Sequence, residues 1–182
     1  MRLAPLALLL GTAATANAAP PVWSRTEQGV HARLIVESTT DAQKHAQLAV
    51  SVEIENVSDV AGGLPLSWGD VSEMLTFTIE DAKGNVVDGM APGGNHLSPL
   101  PYTLMLPEHS TLRVSVTPSA LEYVPNGGTL FRPVTFQAWD FPAKHAPLFV
   151  RAKLTPHARD KRTHAPARSW SVPLELTRVA LP

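Results

Sequence analysis

Apolar and polar side chains alternate with a two-residue period along most of this chain, and that rhythm is the feature that most restricts its fold. Leu48, Val50, Val52 and Ile54 point one way while Ser51, Glu53 and Glu55 point the other. The same pattern runs through Val30, Ala32, Leu34 and Val36, and through Leu75, Phe77 and Ile79. It returns at Leu112, Val114 and Val116, at Val134, Phe136 and Ala138, at Leu148, Val150, Ala152 and Leu154, and finally at Trp170, Val172, Leu174 and Leu176. Such alternation is the mark of strands with one buried face. No helical stripe of useful length competes with it, and 17 prolines exclude long helices. A single short helical turn is expected near Ser119 to Tyr123.

Seven runs facing one core predict an all-β fold. The natural solution is two packed antiparallel sheets, an immunoglobulin-like β-sandwich of about seven to nine strands. An up-and-down barrel is the competing closure. Turn chemistry separates the runs: Asp81 to Asn85 predicts a hairpin, and Gly62-Gly63, Gly93-Gly94-Asn95 and Asn126-Gly127-Gly128 predict loops.

The N-terminus predicts export. Arg2 precedes an apolar stretch from Leu3 to Leu10, and Ala16-Asn17-Ala18 follows as a cleavage site. Residues 1–18 therefore read as a signal peptide and residues 19–182 as one domain of about 164 residues, placed in the periplasm or secreted. The apolar stretch is shorter than the roughly 20 residues a membrane helix needs, and no later run approaches that length. Removing Arg2 takes one unit from a formal net charge of −1. A near-neutral chain gives no reason to expect nucleic acid as a partner. Cysteine is absent, so disulfides, thiol nucleophiles and thiolate metal sites are excluded together, and stability must come from burial.

Catalytic signatures are missing. There is no G-x-S-x-G elbow, no P-loop, no G-x-G-x-x-G and no H-E-x-x-H. Asp81 to Asp88 has Lys83 where a calcium loop needs an oxygen ligand, so a plain hairpin is the better reading. Glu53 and Glu55 share one strand face, as residues of a solvated sheet surface do. The expected role is that of a non-catalytic interaction module with a protein or cell-envelope component as partner. Its candidate contacts are Trp68 and Asp70 in a Gly- and Pro-flanked loop, an outward-facing Trp139, and Arg159, Lys161 and Arg162 in a basic loop spanning 156–169.

A metal carrier is the alternative. The stretch from Met90 to His96, with Met105 and His109 following, gathers borderline and soft ligands. Its Pro-Gly-Gly-x-His segment resembles that of periplasmic copper-chaperone domains with a cupredoxin-like fold, which implies copper held by Met90, His96, Met105 and His109. That family places a methionine soon after the histidine, where this chain has Ser98.

From Ala49 to Thr117 a wider pattern emerges: V-x-I-x-N-V-S-D ending at Asp59, F-T-I-E-D-A-K-G-N-V-V from Phe77, and L-M-L-P-E-H-S-T-L-R-V-S-V from Leu104. It resembles exported bacterial Ig-like sandwich proteins of the intracellular-proteinase-inhibitor type. That resemblance implies a sandwich, and protease inhibition as a further alternative.

Overall fold

The computed structural model describes residues 21–40, 46–67, 74–89, 101–117, 121–123, 129–134, 137–141, 147–156 and 169–181. Among them the fold is all-β, without an α-helix, and every strand pair is antiparallel.

The first sheet joins β1 (Val30–Thr40), β2 (Ala46–Asn56) and β7 (Thr111–Thr117) in the order β1-β2-β7. Its register runs from Val30 opposite Asn56 to Thr40 opposite Ala46. This sends Ala32, Leu34, Val50, Val52 and Ile54 into the core, as their alternation predicts. The same register sets charges across from one another on the outer face. Glu55 meets His31 at 2.7 Å, and Glu53 takes Arg33 at 2.6 Å on one side and Arg113 on the other. Glu53 is thus flanked by cross-strand guanidinium groups and Glu55 by the His31 ring, and such cross-strand pairs stabilise the exposed face of a sheet. Trp23 lies over this face, its ring stacked on His31 at 4.1 Å and covered by the Arg33 guanidinium at 4.4 Å.

A second sheet has the order β12-β11-β4-β5, from β4 (Leu75–Asp81), β5 (Val86–Val87), β11 (Leu148–Leu154) and β12 (Leu174–Ala180). The Asp81–Asn85 turn joins β4 to β5 as the sequence predicts. Gly84 takes φ +87°, and the Asp81 carboxylate accepts from the backbone N–H groups of Lys83 and Asn85 and from the Asn85 side chain. The Asn85 side-chain bond, followed by the Asn85 and Lys83 backbone bonds, holds the Asp81 carboxyl below its ordinary value of 3.8. A depressed carboxyl stabilises the fold above its unfolded-state pKa and loses that contribution as pH falls through the folded-state pKa. We therefore expect Asp81→Ala to lower the unfolding midpoint at about pH 7, with the gap from the parent narrowing as acid protonates the Asp81 carboxyl. Urea unfolding at several pH values measures it.

The third sheet, β10-β9-β8, contains β8 (Leu121–Tyr123), β9 (Thr129–Val134) and β10 (Gln137–Phe141), and β3 (Gly62–Ser67) pairs with β6 (Pro101–Leu106) as a ribbon. β12 runs beside β1, and β9 beside β7. One hydrophobic cluster draws residues from the three larger sheets and the ribbon, with Phe131 among its largest fully buried side chains.

Three expectations need correction. The run through Val134 and Ala138 is two strands, because β9 turns back and pairs with β10; Phe136 lies outside the described residues. The segment ending at Tyr123 carries the strand β8 over Leu121–Tyr123 instead of a helical turn, since those residues pair with β9. The terminal strand starts at Leu174, after an irregular stretch that includes Trp170 and Val172.

Candidate functional site

Four loops meet at one end of the strands, and the register shows why. Val30 opens β1 opposite Asn56, which closes β2, while Thr111 opens β7 opposite Glu55. The turn before β1, the loop after β2 and the loop before β7 are therefore neighbours. The stretch before β12 joins them through side-chain bonds described next.

The turn before β1 is a two-residue hairpin loop. Glu27 and Val30 exchange backbone bonds of 2.8 and 2.9 Å, and the central residues Gln28 and Gly29 have φ of 52° and 77°. Two positive φ values are the signature of a type I′ turn. Glutamine is not a residue that favours this conformation, and its side chain is held in place from outside: Oε1 accepts from Ser171 N at 2.8 Å, and Nε2 donates to Ser171 Oγ at 3.2 Å. Gly29 O accepts from Val57 N at 2.8 Å, tying the turn to the loop after β2.

Asn56 is the hub of the cluster. Its side chain is 1 % exposed. Nδ2 donates to the carbonyls of Val60 at 2.9 Å, Pro107 at 2.9 Å and Leu106 at 3.2 Å, while Oδ1 accepts from Ser58 N and Ser58 Oγ. One buried amide thus connects the end of β2, the loop that follows it and the end of β6. Trp170 N donates to Gly63 O at 3.0 Å, and Ser169 forms a parallel bridge with Gly63. His109, in a turn with φ 50°, brings Nε2 to 2.9 Å from Asp59 Oδ1 across the two loops.

What this end presents to solvent is mixed. Val60 is 47 % exposed and Met105 46 %. The Val60 carbonyl and that of Leu106, next to Met105 in β6, share one Asn56 nitrogen, which ties the loop after β2 to the end of β6. The His109–Asp59 pair stands beside them, on the loops that contain Val60 and follow β6. Exposed apolar side chains at a loop end held by hydrogen bonds are candidate contacts for a partner.

No family model, curated protein or solved structure matches this chain. The functional reading accordingly rests on the geometry alone.

Of the residues singled out from sequence, Trp68, Asp70, Arg159, Lys161 and Arg162 lie outside the described residues, as do Met90 and His96. Met105 and His109 both fall at the loop end. The Nε2 of His109 is engaged by Asp59, and among the described residues no three His, Asp or Glu side chains gather as a metal site. Trp139 is corrected outright. It is 5 % exposed, its Nε1 donates to Val87 O at 3.1 Å, and its ring packs against Phe131. The register shift between Gln137 and Trp139 explains the error, since a bulge turns both Ala138 and Trp139 inward.

Gly89 is shaped by that burial. A Cβ there would stand 2.6 Å from Trp139 Nε1 and 2.7 Å from Cε2, with Ala138 O at 3.1 Å. Gly89→Ala is expected to destabilise the chain by about 2 kcal/mol through overpacking, read from thermal or urea unfolding.

Sequence reasoning missed Asn56, Gln28 and Val60 as members of a site. The local signals were slight, Gln28-Gly29 just ahead of an alternating run and the Asn56-Val57-Ser58-Asp59 strand end; the partners that make these residues matter are far away in the chain.

Proposed function

We propose that this chain is a non-catalytic, exported interaction module, an Ig-like sandwich that binds a protein or cell-envelope component through the loops at one end of its strands. The observation that carries the reading is the exposure of Val60, on the loop after β2, and of Met105, near the end of β6, at a loop end cross-bonded through Asn56. Rigid loops bind without an ordering cost, and a small apolar centre with a polar rim is the usual anatomy of a contact. Gln28, Ser171 and the His109–Asp59 pair supply the rim.

A photo-crosslinking amino acid placed in turn at positions 60, 105 and 86 tests it in intact cells. Val86 is 64 % exposed but sits at the opposite end, since the loop-end residues Leu174, Leu154 and Leu75 pair across β12, β11 and β4, and Asp81 lies at the far end of β4. Defined adducts from positions 60 and 105 and none from 86 are expected. Adducts from position 86 alone, or from none of the three, would remove the loop end as the binding surface. Val60→Asp with Met105→Asp should abolish the adducts of the neighbouring loop positions while changing stability by only about 0.5 kcal/mol, because both side chains are exposed.

A further inference from the structure

Among the described residues the loop end holds a small, partly open cavity whose walls include Gln28, Asn56, Ser58, Gly62 and Trp170. Its volume is about 10 Å³, room for one water molecule and too little for a metabolite. Trp170 is 3 % exposed, and its indole Nε1 finds no acceptor among the protein atoms. That group can only donate. Buried indole N–H groups almost always find a partner, because leaving one unpaired forfeits its hydration with nothing in return. The polar residues nearby do not supply one: Asn56 Oδ1 already accepts two bonds from Ser58, and Gln28 Oε1 is taken by Ser171.

We propose that the cavity is a hydration site holding one long-lived water, which accepts from Trp170 Nε1 and donates to oxygens of the cavity wall. Ser58 Oγ, whose one proton goes to Asn56 Oδ1 and Val60 O, keeps lone pairs that can accept there. The water joins the stretch before β12 to the loop after β2, so that solvent is a structural component of the loop end. This inference is independent of whether the loop end binds a partner.

Water-to-amide cross-relaxation in a rotating-frame NMR experiment on the 15N-labelled protein decides it. The chain has four tryptophans, and Trp170→Phe assigns the indole resonance concerned. A dipolar cross-peak between water and the Trp170 indole proton, with the sign that separates it from chemical exchange, is the expected result. Its absence in the unmodified chain overturns the proposal. Gly62→Ala locates the water: a Cβ there meets only Asn56 Nδ2, at 3.9 Å, so the methyl fits against the cavity wall. Loss of the cross-peak in that variant is expected, and a folded Gly62→Ala chain that keeps it would place the water outside this cavity and overturn the assignment.

Discussion

Trp139→Ala is expected to destabilise the chain by about 4 kcal/mol, the cost of deleting a large aromatic from a packed core. The side chain is buried among β9, β10 and the end of β5, where it packs on Phe131 and donates to Val87 O. Truncation leaves a cavity beside Phe131 and strips a carbonyl of its donor. Urea unfolding followed by far-UV circular dichroism reads the change as a lower midpoint at similar slope. An exposed tryptophan would change stability by only about 0.5 kcal/mol, so the measurement separates the two placements cleanly. Trp139→Phe keeps most of the packing and removes only the hydrogen bond, and should cost about 1 kcal/mol.

Asn56→Ala is the second large effect, at about 3 kcal/mol. No single bond of Asn56 carries that figure. The amide satisfies three carbonyls and two Ser58 donors at a position 1 % exposed to solvent. Buried polar groups left without partners cost more than the net worth of the bonds they made. Asn56→Asp tests the donors specifically: it preserves shape and Oδ1 but places a carboxylate oxygen against carbonyl oxygens, and should be at least as damaging as alanine. Either variant should also loosen the loop after β2 from the end of β6. Position 60 and 105 adducts would then weaken even at temperatures where the strands remain folded. Hydrogen exchange at the Val57 and Ser58 amides would report that loosening directly.

Much of the strand framework was legible in the residues themselves. Runs such as Leu48 to Ile54 and Leu75 to Ile79 face inward as their alternation requires, and the Asp81–Asn85 turn folds as its residues dictate. These features depend on neighbours within a few positions: a two-residue period for the strands, and a carboxylate reaching amides two and four residues ahead for the turn. The outer-face pairs between His31, Arg33, Glu53 and Glu55 follow once β1 and β2 are known to pair in register. Glu53 is accordingly the ion-pair partner of Arg33, and Glu55 lies against the His31 ring, so the two are not a free carboxylate pair.

The candidate site was hardly legible. Gln28 acquires its role from Ser171, and Asn56 from Leu106 and Pro107, partners separated by far more chain than any periodicity spans. Trp139 went inward because a bulge reset the phase of β10, and a bulge is decided by what pairs across the ladder. The sequence by itself determined that the chain would be built of half-buried strands and which faces most of them would hide, because alternation is a local property paid out residue by residue. Only the tertiary structure decided which loops meet, which polar groups are satisfied by distant carbonyls and which aromatic fills the core, because those outcomes depend on register between strands that the local pattern does not encode.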